Sequence, residues 1–140
     1  MSERDETEVA AAHRRFYAAF ESLDINRMEG LWRRERYACC VHPGWPPLFG
    51  WGAIMQSWQR IFANTAEMRF TLTDLQIRTA GDLAWVSVTE HIETRHATGR
   101  SIGVVQATNI FERHDGEWLM VHHHGSPIAH PDGDSPTPLQ

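Results

Sequence analysis

The sequence predicts an α+β domain in which a curved antiparallel sheet wraps around three N-terminal helices. Three observations carry this expectation. Apolar residues at helical spacing occupy the first half of the chain, over 5–23, just after residue 24, and over 51–64. Period-two alternation then fills four consecutive runs, at 68–78, 83–94, 101–114 and 117–126. Between the last two runs stands Asp115-Gly116, a strong short-range hairpin signal, because a type I′ turn needs φ > 0 at both central residues. Helices followed by a run of antiparallel strands are the pattern of an α+β fold.

Each element has its own warrant. In the first helix Val9, His13, Phe16, Phe20 and Leu23 recur at intervals of four and three, which makes one buried stripe. Asp24 or Asn26 can cap a short second helix with Met28, Leu31 and Trp32 facing inward. Arg33, Arg34 and Arg36 follow at its C-terminal end, where positive charge suits the helix dipole, and they are expected to be solvated. Residues 37–42 read as a short strand with Cys40 and His42 on one face. The loop Pro43-Gly44-Trp45-Pro46-Pro47 excludes helix and central strand. The third helix carries Ile54, Trp58, Ile61 and Phe62 at helical spacing. In the first long strand the apolar phase switches between Leu72 and Leu75, as a β-bulge would make it. A single domain over 1–128 and a disordered tail over 129–140 are expected, the tail being rich in proline.

Composition narrows the chemistry. The formal charge is −5 and no basic stripe is present, so nucleic acid is not an expected partner. No apolar run approaches the roughly 18 residues of a membrane span. The acidic N-terminus carries no signal-peptide pattern, which makes the cytoplasm the expected compartment. All thirteen Lys and Arg side chains are Arg, which removes Schiff-base chemistry. Cys39 and Cys40 are adjacent, so on a strand they point apart and suit packing better than a disulfide.

The Asp115-Gly116 turn sets an expected register. Arg113 should face Trp118, Phe111 should face Met120, Asn109 should face His122, and Ala107 should face His124. One face then holds Trp118, Met120 and Phe111, followed by Asn109, His122 and His124. An apolar wall ending in hydrogen-bonding groups is the composition of a ligand pocket. His123 falls on the opposite face with Val121 and Ile110, and a second copy of the chain stacked on that face would cover it.

Several residues could carry chemistry. Glu90 interrupts the apolar series Ala84, Val86, Val88, Ile92, and desolvation there should raise its pKa toward the range of a general base. The plainer alternative is a strand-end carboxylate that reaches water. Asn109 and His122 together could hold a carbonyl oxygen or an oxyanion, or simply close the interior as a polar pair. His42 could be a second pocket histidine. His42, His122, His124 and Glu90 could also be weighed as a metal site, but His-x-His on a strand is a weak signal, and no metal is expected. Trp45, Phe49 and Trp51 could form an aromatic lid over a ligand or cap the open end of the fold. His13 reads as a core-edge histidine or a pocket group.

The element order, with Phe16-Tyr17-Ala18-Ala19-Phe20, Val41-His42-Pro43-Gly44-Trp45, Asp115-Gly116-x-Trp118 and Val121-His122-x-His124-x-Ser126, resembles the nuclear-transport-factor-2-like superfamily, which includes SnoaL-like and ketosteroid-isomerase-like proteins. The ending is also similar to the association domain of calcium/calmodulin-dependent kinase II, except that Asn109 stands where that domain has an arginine of a carboxylate pocket. The resemblance implies a cone-shaped fold with a pocket on its concave side and a dimer surface on its convex side. It further implies a cofactor-independent isomerase, cyclase or dehydratase acting by proton transfer next to a carbonyl. In that reading Glu90 or His42 is the base and His122 and Asn109 are its partners, with Trp118, Phe111, Met120, His124, Trp45 and Trp51 around a small organic ligand. A non-catalytic binding or oligomerisation module is the alternative, and a metal-dependent enzyme a third.

Overall fold

The computed structural model describes residues 2–129, and the proline-rich stretch at 130–140 lies outside them. Helix α1 spans Glu3–Ser22. Ser2 caps it by accepting from the Asp5 N–H, and Glu3, Asp5 and Glu6 place negative charge in its first turn, where the helix dipole favours it. Asp24 caps the short α2, Ile25–Glu29, and α3 covers Trp51–Ala63. The strands are β1 Cys39–Val41, β2 Leu48–Phe49, β3 Glu67–Ala80, β4 Leu83–His96, β5 Gly99–His114 and β6 Glu117–Pro127. They form one open mixed sheet in the order β2-β1-β6-β5-β4-β3. All neighbours are antiparallel except β1 and β6, which run parallel. The small strand β2 was not anticipated, since two residues are too few to show a period.

Aromatic side chains from the helices fill the concave side of the sheet. Phe20 and Trp58 meet edge to face at 4.6 Å, and Phe16 lies 5.9 Å from Trp58. Such pairs add about 0.5–1.5 kcal/mol beyond the area they bury. Arg33 is not the solvated group expected of a helix end. It is mostly buried and donates to Glu112 at 2.8 Å, so it ties the end of α2 to the sheet.

Two bulges shape the sheet. In β3 the register slips between Thr73 and Gln76, where Asp74 adopts φ 54°, as the phase switch in the sequence implied. The second bulge corrects the expected hairpin. The turn itself is as read, with Asp115 at φ 51° and Gly116 at φ 80°. Arg113 faces Trp118 and Phe111 faces Met120, but the next pair is Ile110 with His122. Val121 is therefore the extra residue of a bulge, and beyond it every side chain of β6 changes face. Asn109 pairs with His123, Ala107 with Gly125, and Thr108 with His124.

Gly125 marks where the loop after β1 comes closest to β6. A Cβ built there would sit 3.0 Å from Pro43 Cγ and 3.1 Å from Val105 Cγ1, both in buried surroundings. Gly125→Ala should lower unfolding stability by about 1–3 kcal/mol, as overpacked sites do, with the same denaturant m-value. Equal stability in urea titrations would show that the loop can retreat without cost.

Candidate functional site

The inner face of the sheet carries a polar cluster in an otherwise apolar interior. Glu90 projects from the middle of β4, is 2% exposed, and makes no ion pair among the described residues. Tyr17, one turn after His13 on α1, donates its hydroxyl to Glu90 Oε2 at 2.5 Å. Burial pushes the Glu90 carboxyl up to about 7, partly opposed by the Tyr17 hydrogen bond. The Tyr17 phenol is itself raised well above its ordinary value by burial and by the Glu90 charge, so it remains a proton donor.

Asn109 extends the network. Its Nδ2 donates to the Tyr17 hydroxyl at 3.1 Å and to His13 Nε2 at 3.0 Å. An amide nitrogen only donates, so His13 Nε2 accepts and the ring is neutral. Burial, helped by the Arg14 charge, lowers His13 to about 4, in agreement. Asn109 Oδ1 accepts from His123 Nδ1 at 2.5 Å. The chain therefore runs from His123 through Asn109 and Tyr17 to Glu90, with every donor pointing toward the carboxyl. Such an arrangement polarises each bond and favours negative charge at its far end. His123 is lowered well below its usual value, first by burial and then by the neighbouring histidines.

A second cluster lies beside the first. Ser57 spends its single proton on Ile54 O at 2.6 Å, so its oxygen must accept from His42 Nε2 at 2.8 Å. His42 is held to about 4 by burial. Its ring stacks edge-on against Trp58 at 4.7 Å and lies 6.4 Å from His123.

Among the residues singled out from the sequence, Glu90, Asn109 and His42 thus lie inside. Trp118, Phe111 and Met120 share that face as packed core. His122 and His124 do not lie there. The Val121 bulge turns His122 half-buried and His124 exposed onto the outer face, their rings 6.0 Å apart, and it brings His123 inside in their place. A grouping of His42, His122, His124 and Glu90 is excluded by the same geometry. Trp45 packs on His42 at 4.9 Å. Trp51 stands apart, under the Arg34 guanidinium at 4.0 Å and donating to Glu29 O. Phe49 is exposed on β2. Tyr17, Ser57 and His123 were missed. Tyr17 follows His13 by four residues and could have been found as a second row beside the helical stripe. Nothing in the run His122-His123-His124 shows where a bulge falls.

The model of the SnoaL-like domain matches residues 9–130. The chain belongs to this family. A candidate dehydratase of the NTF2-like family from Streptomyces avermitilis is 34% identical, with a TM-score of 0.86 over 91% of this chain and 99% of that one. A candidate calcium/calmodulin-dependent protein kinase type II association domain from Thiobacillus denitrificans is 31% identical, with a TM-score of 0.75 over 85% of this chain and 94% of that one. Among curated proteins, F-box protein SKIP8 of Arabidopsis thaliana is 28% identical over 118 residues, which are 84% of this chain and 48% of that protein. The chain spans about half the length of that relative. No described helix is long and apolar enough to cross a membrane.

The cluster predicts a pH profile of stability. Glu90 titrates higher folded than unfolded, so its contribution is full below about 4.5 and is lost as pH rises through about 7. His13 and His42 titrate lower folded than unfolded, so theirs is full above about 6.5 and is lost as pH falls through about 4. Stability measured by urea titration should peak near pH 6.5. Glu90→Gln should gain on the wild type between pH 4.5 and 8 by on the order of 3 kcal/mol. A pH-independent difference between the two proteins would mean that Glu90 titrates normally.

Proposed function

We propose that this chain binds a small carbonyl-bearing organic molecule and moves a proton next to the carbonyl, the chemistry of an isomerase, an aldol-type cyclase or a dehydratase. The observation that carries the reading is Glu90, a buried carboxyl with no cation beside it among the described residues and a pKa pushed up to about 7, held at 2.5 Å by Tyr17. A base poised near the working pH is half ionised at rest and returns the proton as readily as it takes it. Glu90 would remove the proton. Once Glu90 carries the proton it no longer needs the Tyr17 hydrogen bond, and Tyr17, backed by Asn109 and His123, would turn its hydroxyl to the oxygen on which charge develops. His42 is a reserve base on the same side. This chemistry calls on no cofactor. A relative described as a candidate dehydratase, at 34% identity, supports the same class.

One observation favours a second reading. Glu90 and His123 are each 2% exposed and Asn109 is fully buried, so a substrate reaches them only if the helices part from the sheet. A domain that stays closed would be a non-catalytic binding or oligomerisation module, and the 31% identity to a candidate association domain fits that. In either reading a homodimer through the outer sheet face is proposed. Trp85 is 44% exposed and Ile102 63% exposed there, and a second copy would cover them.

Proton exchange separates the two readings. 2-Tetralone incubated in deuterated buffer should lose its α-protons faster with the protein than without it, and Glu90→Gln should slow the catalysed exchange about 100-fold or more. Exchange at the buffer rate for both proteins would favour the binding module. Light scattering should give twice the mass of one chain, and Ile102→Glu should halve it. A wild-type monomer would remove the dimer proposal.

A further inference from the structure

A cleft of about 210 Å³ opens between the end of α3, the end of β4 and the loop after β1, lined by Trp45, Arg60, Ile61, Asn64, Thr65 and His96. We propose that it is a binding site for a flat apolar molecule carrying one carboxylate, with the ring system on Trp45 and Ile61 and the carboxylate on Arg60.

Charge argues first. The other clefts described on this surface each carry at least one glutamate: Glu67 and Glu93, Glu29 and Glu35, Glu93 again, or Glu21 and Glu67. In a chain of net charge −5 this cleft has no acidic side chain on its wall, and it holds a guanidinium and an imidazole. Arg60 makes no ion pair among the described residues, whereas the guanidinium groups beside the first cleft are engaged with Glu67 and Glu93. One unpaired guanidinium matches one carboxylate, to which it can donate two parallel hydrogen bonds.

The C-terminal end of α3 lies here and its dipole opposes an anion. Three of its last carbonyls, those of Arg60, Ile61 and Phe62, are already taken, however. The Asn64 N–H is directed at Arg60 O, Ile61 O and Phe62 O, and the Thr65 hydroxyl donates to Ile61 O at 2.7 Å. A full charge on Arg60 then outweighs the partial charge of roughly one half left at the helix end.

Shape and the inner wall argue second. The cleft is smaller than the roughly 300–1,000 Å³ of drug-sized sites, which limits the occupant to one or two rings. Behind Trp45 an aromatic row leads inward, with Trp45 to His42 at 4.9 Å and His42 to Trp58 at 4.7 Å.

The test uses 2-naphthoate as the probe, 2-naphthamide as its neutral counterpart, and the exposed, foldable variant Arg60→Gln. Amide chemical shifts of Asn64, Thr65 and His96 should move saturably with 2-naphthoate. The neutral amide should bind at least tenfold more weakly, and Arg60→Gln should lose about tenfold in affinity for the carboxylate alone. No saturable shift at millimolar 2-naphthoate would overturn the proposal. So would equal binding of acid and amide, an unchanged affinity in Arg60→Gln, or shifts confined to another part of the chain. The probe reads the cleft and not proton transfer at Glu90, so its outcome is separable from that of the tetralone experiment.

Discussion

The interior is organised around a carboxyl that, among the described residues, has no cation to balance it. An ionised Glu90 on an apolar wall is costly to bury, and the protein meets that cost with a single strong donor, Tyr17, instead of an arginine. Everything else in the cluster follows from holding that donor in place. Asn109 bonds the phenol and also His13, which sits one turn earlier on the same helix, so α1 is locked to the sheet by two adjacent side chains. His123 fills the remaining acceptor of the Asn109 amide. Had a guanidinium stood beside Glu90, its pKa would have fallen and the carboxylate would be a poor acceptor of a proton at neutral pH.

The Val121 bulge decides which histidine belongs to this cluster. Side chains alternate along a strand with period two, so one extra residue exchanges the inner and outer sets for the whole segment beyond it. With it, His123 completes the network and Gly125 lies under Pro43, where a Cβ would be crowded. Without it, His122 and His124 would point inward and a side chain would have to occupy the Gly125 position. The parallel pairing of Cys39, Cys40 and Val41 with His122, His123 and His124 then places Cys40 and His42 on the inner face beside His123.

The closed interior and the open cleft divide the molecule by polarity. Inside, hydrogen bonds are made between groups held neutral by burial, apart from one carboxyl near its midpoint. Outside, some charges are paired, as between Arg95 and Glu67 or Arg100 and Glu93. The surface beside Trp45 sets a guanidinium that makes no ion pair among the described residues next to apolar wall, on a cleft without a carboxylate and with an aromatic row behind it.

Much of this was legible in the residues alone. The helices, the long strands, the β3 bulge and the Asp115-Gly116 turn follow from local preferences, which act within a few residues and leave a periodic trace. Glu90 could be recognised because a charge in an apolar alternation contradicts its neighbours. The tertiary structure alone decided the rest. Where a bulge falls on β6 depends on what Asn109, Pro43 and α1 require of the facing strand, and none of these is close in sequence. His123 therefore replaced His122 inside, Tyr17 found Glu90 across 73 positions of sequence, and Arg33 left solvent for Glu112. Sequence period assigns a side chain to a face, but only the packing of distant elements determines which face is buried beyond a break in that period.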